Sequence, residues 1–151
     1  LIHDEKTVVE ALIKMAARLH QDYEDKVPIF MVVMNGGLIF AGQLLPLVDI
    51  VCQIDYCHAT RYRGDTEGKD IQWRARPQQD LKDRDVVIVD DILDEGHTLV
   101  AITEACIEAG AKSVKTCVLI EKEHDRKARP NLHADYSGLT VPDRYVFGYG
   151  M

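Results

Sequence analysis

Short unbroken apolar runs alternate with stretches of helical periodicity along this chain. Val8, Leu12, Met15, Ala16 and Leu19 form one stripe between Thr7 and His20, the pattern of an amphipathic helix, and Thr7 with Glu10 has capping-box spacing at its start. Pro28 introduces the apolar run Ile29 to Met34. Asn35, Gly36 and Gly37 break that run before Leu38 to Leu45 resume a helical pattern, so the order here is strand, glycine turn, helix. From Ile50 to His58, the Cys52, Ile54, Tyr56 parity alternates with Gln53, Asp55, Cys57, which predicts a second strand. Arg61 to Asp70 is dense in charge and carries Gly64 and Gly68. Ile71, Trp73 and Ala75 then alternate with Gln72, Arg74 and Arg76, making residues 59–76 a hairpin with a charged tip, either a lid or a solvated surface feature.

The most informative run is Val86 to Val89, which leads straight into Asp90 and Asp91. It is β-branched and does not alternate with polar residues, as suits a central strand of a parallel sheet covered on both faces. Leu99, Ile102, Ala105, Cys106 and Ala109 follow at helical spacing, and Gly110 supplies a stop. A helix therefore begins near Gly96 to Thr98. Its open N–H groups favour a phosphate, while the two carboxylates just upstream suit sugar hydroxyls or a divalent cation. A phosphorylated sugar satisfies both. Ser113 to Ile120 predicts a further strand, Glu121 to Asn131 a charged connection, and Ala134 to Met151 short strand-like pieces. These elements describe one α/β domain: a mainly parallel twisted sheet flanked by helices, with a small hood from the C-terminal segment.

Composition narrows the function classes. A formal charge of -7 argues against a protein that lives on nucleic acid or on an anionic membrane. No stretch approaches the roughly 20 apolar residues of a membrane span, and Leu1 to Lys6 lacks a signal-peptide core, so a cytoplasmic location is expected. Cys52, Cys57, Cys106 and Cys117 show no zinc-ligand spacing and read as reduced structural thiols. The histidines are scattered, with no metalloprotease-like pair.

VVIVDDILDEGHTL, Val86 to Leu99, resembles the phosphoribosyl-pyrophosphate signature of the type I phosphoribosyltransferases. Three further segments are similar to the purine branch of that family, in the same order: MNGGLIFAG (Met34 to Gly42), ATRYRG (Ala59 to Gly64) and VPDRYVFGYG (Val141 to Gly150). With Lys122 ahead of it, the last segment resembles the hypoxanthine-guanine enzymes. Together these matches span nearly the whole chain.

The resemblance implies a single phosphoribosyltransferase domain over 1–151, with 59–76 as a lid and about 121–151 as a purine-binding hood. It implies a reaction in which a purine nitrogen displaces pyrophosphate from the ribosyl anomeric carbon. Asp90 and Asp91 would hold the ribose hydroxyls and, through water, Mg²⁺. Asp94 would lie near purine N7 and carry its proton. Asp94, Glu95, Gly96, His97 and Thr98 would wrap the 5′-phosphate, and Asn35, Gly36 and Gly37 would form the pyrophosphate loop, where a non-proline cis peptide is common. Lys122 would donate to the 6-oxo oxygen, which favours hypoxanthine and guanine over adenine. Tyr145 would stack on the base, Val146 would read its edge by backbone, and Arg61 and Tyr62 would start the lid. The partners implied are phosphoribosyl pyrophosphate, a 6-oxopurine and further copies of the chain in a homodimer or homotetramer.

Two positions depart from the family pattern. Glu95 stands where Thr or Ser is usual, and a carboxylate there is expected to turn outward and leave only its N–H to the phosphate. Asn35 replaces a common Lys, which leaves Mg²⁺, Arg126 or a lid arginine to meet the pyrophosphate. Two other readings compete. A receiver-type signalling domain also ends a strand in two aspartates, but places them on its first strand. A nucleotide-binding regulator would keep the fold and lose the reaction.

Overall fold

The computed structural model describes residues 2–61 and 71–151. Its elements are α1 (Glu5–Tyr23), β1 (Ile29–Val33), α2 (Gly37–Leu44), a 3-10 turn (Leu45–Leu47), β2 (Gln53–Arg61), β3 (Ile71–Ala75), β4 (Asp85–Leu93), α3 (His97–Glu108), β5 (Ser113–Glu123) and β6 (Tyr136–Pro142). Six strands form one sheet in the order β3-β2-β1-β4-β5-β6. All neighbours are parallel except β2 and β3, which pair antiparallel as the arms of the expected hairpin. Tyr62 and the hairpin tip lie outside the described residues, and of Arg61 only the backbone is described.

Period-two strands explain why the central runs are apolar throughout. Phe30, Val32, Val87, Val89, Cys117 and Leu119 face one way, against the stripe of α1 and Phe40, Ala41 and Leu44 of α2. Ile29, Met31, Val33, Val86, Ile88 and Val118 face the other way, against Leu99, Ile102 and Cys106 of α3. Both faces of β1 and β4 are thus sealed, and each fully buried aliphatic side chain contributes about 1.5–3 kcal/mol. The cysteines are free. Burial pushes the Cys57 thiol up to about 12 and Cys106 to about 11, which keeps both protonated and inert.

The chain leaves β1 through α2 toward β2, and leaves β4 through α3 toward β5, on the opposite side. The order therefore reverses between β1 and β4, and the crevice beyond their carboxyl ends is where such a sheet takes its ligand.

Several local expectations are corrected. The cap of α1 is Asp4, whose carboxylate accepts from the Thr7 amide at 2.8 Å, rather than Thr7, and the helix runs on to Tyr23. β2 starts at Gln53, three residues after the expected Ile50. β4 continues through Asp90 and Asp91 to Leu93, because β5 keeps pairing with it as far as Leu93 with Glu121. β5 in turn takes in Glu121, Lys122 and Glu123, which the charge pattern placed in a connection. At the C-terminus one strand, β6, joins the edge of the main sheet, and residues 143–151 continue beyond it without strand or helix. The stop of α3 is as expected: Gly110 sits at φ 91, with its N–H on Ile107 O at 3.0 Å and the Ala111 N–H on Cys106 O at 3.2 Å.

Candidate active site

At the crevice, β4 outruns its neighbour β1. Their last paired residues are Val32 and Val89. Beyond that point the flank of β4 is met by the loop Asn35 to Gly37 instead of by a strand. A Cβ on Gly37 would fall 2.7 Å from the Val89 carbonyl oxygen, and one on Gly36 would fall 2.7 Å from Asp91 Oδ2. Only glycine admits so close an approach of the loop to the acidic pair. The Met34–Asn35 peptide is cis, as the resemblance implied for this loop.

The two carboxylates are anchored by the backbone that follows them. Asp90 Oδ1 accepts from the Asp91 amide at 2.8 Å, and Asp91 Oδ1 accepts from the Ile92 amide at 2.8 Å. Burial, and then the hydrogen bond and charge of Asp91, push the Asp90 carboxyl well above its ordinary range. An Asp90 carboxyl that resists ionisation beside a second acid suits a divalent cation or a row of hydroxyl donors, either of which stabilises its charge. The pair's hard oxygen ligands are of the kind that hold Mg²⁺ or Ca²⁺.

The turn from β4 into α3 rests on Gly96, at φ 88, where a Cβ would also meet Leu93 and Leu132 side chains at 2.8 and 2.7 Å. Gly96 is the N-cap of α3 and gives it no side-chain cap, so the first-turn N–H groups stay available to an anion. Glu95 leans sideways: its Oε2 lies 3.8 Å from His97 Nε2 and its Oε1 lies 4.0 Å from Arg126 Nε. Its carboxylate thus faces cationic or protonatable partners, in line with the outward turn expected from sequence.

The far side of the site is built from side chains. Asp94 accepts from Lys122 Nζ at 3.1 Å on Oδ2 and from His124 Nε2 at 2.7 Å on Oδ1. Burial pushes the Asp94 carboxyl up, but the hydrogen bonds from His124 and Lys122 and the Lys122 charge outweigh it and hold the carboxyl below the ordinary value. Lys127 supports the backbone beneath: its Nζ donates to Asp94 O and Lys122 O, each at 2.6 Å, so one ammonium ties the end of β4 to β5. Burial lowers its affinity for that proton, against the pull of Glu121 and Asp94. Arg126 makes a two-pronged pair with Asp143, just past β6, with Nη2 3.1 Å from Oδ1. The ligand atoms of Asp94, His124 and Asp143 lie within 4.8 Å of one another. Lys122 and Arg126 already balance the two carboxylates.

The structure therefore brings together Asp90, Asp91, Asp94, the Glu95 to Thr98 turn, the Asn35 to Gly37 loop and Lys122. It does not place Lys122 after its strand, nor free to meet a base, since it sits within β5 and holds Asp94. Tyr145 is 87% exposed and Val146 packs against the core. Both line a cleft of about 790 Å³ with Ile120, Val141 and Phe147, a lining that does not include Asp94 or Lys122. Sequence reasoning missed His124, Lys127 and Asp143. His124 and Lys127 lie in a charged segment and Asp143 at the edge of the C-terminal one, and the contacts that bring them to the site, with Asp94 and Arg126, span 17 to 33 positions. Among the described residues, no helix is long and apolar enough to cross a membrane.

Residues 2–151 match the family described as "Phosphoribosyl transferase domain". Over 150 residues the chain is 34% identical to the hypoxanthine-guanine phosphoribosyltransferase of Streptococcus pneumoniae, covering 99% of this chain and 81% of that one. The crystal structure of a hypoxanthine phosphoribosyltransferase from Staphylococcus aureus is similar with a TM-score of 0.89 at 30% identity, covering 97% of this chain and 79% of that chain. A hypoxanthine-guanine phosphoribosyltransferase from Bacillus anthracis gives 0.86 at 25% identity, covering 97% and 84%. With the phosphate turn, the acidic pair and the glycine loop gathered at one switch point, this chain belongs to the phosphoribosyltransferase family, on its hypoxanthine-guanine branch.

Proposed function

We propose that this chain carries out purine salvage, joining hypoxanthine or guanine to the ribosyl group of phosphoribosyl pyrophosphate to give IMP or GMP and pyrophosphate. The observation that carries this reading is the Asp94–Lys122 pair at the mouth of the phosphate turn. An acid able to take a proton and a cation able to bind a carbonyl oxygen stand side by side, next to a site for a sugar phosphate. The α3 N-terminus and Thr98 bind the 5′-phosphate. Asp90 and Asp91 hold the ribose hydroxyls and Mg²⁺, which when bound neutralises charge on the departing pyrophosphate. The backbone of Asn35 to Gly37 receives that leaving group.

As the anomeric C–O bond breaks, the ribosyl carbon gains cationic character and the purine nitrogen adds to it. Asp94 takes the proton from N7, and Lys122 moves from Asp94 to the 6-oxo oxygen. Tyr145 and Val146 move from the cleft they line in the free protein to stack on the base and read its edge, and the 59–76 hairpin, with Arg61 and Tyr62, is the lid that the family likeness implies. The family likeness supports a homodimer or homotetramer, and the exposed apolar side chains of Leu38, Ile54 and Tyr56 beside the glycine loop suit a contact between copies.

The test is nucleotide formation from phosphoribosyl pyrophosphate, Mg²⁺ and each purine offered separately. IMP and GMP are expected, with no AMP. Binding of phosphoribosyl pyrophosphate without product from any 6-oxopurine would favour a nucleotide-binding regulator on the same fold. A receiver-type domain does not fit, because the acidic pair is on the fourth strand and opens onto a phosphate turn.

A further inference from the structure

His124 has no role in the scheme above, yet its ring is buried and closely held. Its side chain is only 3% exposed, against 44% for the Asp94 carboxylate it touches. The ring is held at both nitrogens. The Arg126 backbone N–H donates to Nδ1 at 3.0 Å, and Nε2 lies 2.7 Å from Asp94 Oδ1. A nitrogen that accepts from an amide carries no proton, so the hydrogen-bond network assigns the proton to Nε2, and Nε2–H donates to Asp94.

We propose that His124 is a positioning residue for Asp94: locked as the Nε2–H tautomer by the Arg126 amide, it grips Oδ1 and so aims Oδ2 at the purine proton. This rests on the reading of Asp94 as the proton carrier. The other groups around the carboxylate leave that task to His124. Lys122, on β5, holds Oδ2 in the free protein but must release it to meet the 6-oxo oxygen. Lys127 binds the Asp94 backbone carbonyl and not its side chain. Arg126 is occupied by Asp143, and Glu95 points toward His97 and Arg126. Once Lys122 has turned to the base, a half-exposed carboxylate without His124 would rotate freely about its last torsion, a broad two-fold well. A neutral donor also has a chemical advantage over a cation in this place. It orients the acid without cancelling its negative charge.

Two measurements test the inference. In ¹⁵N-histidine spectra of the whole protein, His124 should show a protonated Nε2 and a bare Nδ1; a ring protonated at Nδ1, or at both nitrogens, would overturn the lock. In steady-state kinetics, His124→Phe should lower kcat about 10- to 100-fold, with the KM for phosphoribosyl pyrophosphate nearly unchanged. His124→Gln, whose amide N–H reaches the place of Nε2–H, should recover most of that loss, whereas His124→Asn, one bond shorter, should not. If Phe does not fold, the Gln and Asn pair carries the same comparison. A folded Phe variant with wild-type kcat, or a Gln variant no better than Phe or Asn, would sink the positioning role. Asp94→Asn run in parallel separates the two levels. Full activity there overturns the proton-carrier reading and this inference with it. A slow Asp94→Asn beside an unimpaired His124→Phe overturns this inference alone.

Discussion

The two ends of the site are made of different material. The phosphate end comes from backbone: Asp90 to Thr98 are consecutive, their turn is set by Gly96 at φ 88, and the donors are amide groups at the start of α3. The purine end comes from side chains on three stretches of chain, with Asp94 after β4, Lys122 and His124 on and just past β5, and Asp143 past β6. In the free protein these charges satisfy one another. An end built from backbone torsions is ready for its ligand before the ligand comes. An end built from mutually paired side chains must exchange partners, so in the proposed reaction Lys122 has to leave Asp94 before it can hold a purine.

The largest effect is expected where the two ends meet. Asp94→Asn keeps size and removes the base, so kcat should fall about 10²- to 10⁴-fold while phosphoribosyl pyrophosphate binds about as before. Equal losses in both parameters would show that the two ends are not separable in this way. Lys122→Met should act on the purine end alone. Losing a charged hydrogen bond of about 1.5–3 kcal/mol raises the hypoxanthine KM about 10- to 100-fold, with little change for phosphoribosyl pyrophosphate. The comparison would be blunted by a variant that weakened both substrates alike.

Gly37→Ala is the converse. Its methyl would press on the Val89 carbonyl, and overpacking of this kind costs about 1–3 kcal/mol, read as a lower urea midpoint together with a raised KM for phosphoribosyl pyrophosphate. An unchanged midpoint would mean that the loop is not held as closely to β4 as the 2.7 Å approach requires.

The smallest effect is in pH. The Asp94 carboxyl of the free protein lies below its ordinary value, so the base stays ionised, and kcat/KM level, as pH falls into the usual carboxylate range. In Lys122→Met the acid limb of kcat/KM should move upward, because a lowering partner is gone. The sign for stability is the same. A depressed folded value contributes above the unfolded value and is lost as pH falls through the folded one. An acid limb that does not move in the variant would show that His124 alone sets the Asp94 proton.

How much could be read beforehand follows the same division. Val86 to Val89, the acidic pair and the turn at Gly96 were legible because strand burial, capping and left-handed torsions are local properties of neighbouring residues. The hairpin arms, the Asn35 to Gly37 turn and the Gly110 stop were legible for the same reason. Misread boundaries have a common cause in pairing. β4 runs through two aspartates, and β5 through Glu121, Lys122 and Glu123, because each strand has the other alongside to satisfy its backbone, and backbone pairing overrides the polarity of a side chain. Asp4 is the cap because its carboxylate reaches the Thr7 amide, which starts the helix at Glu5, one turn before the Thr7–Glu10 spacing suggested.

By itself the sequence determined the parallel α/β core, the place of the phosphate turn and the family, since each depends on patterns of spacing along a continuous stretch. Only the tertiary structure decided which of the many charges between Glu121 and Arg129 matter. Lys122, His124 and Lys127 converge on Asp94 because β5 lies beside β4 in the sheet, and Arg126 meets Asp143 because β6 lies beside β5. Those neighbours are chosen by packing across the whole sheet, and a hydrogen bond between residues some 30 positions apart leaves no trace in the order of the residues themselves.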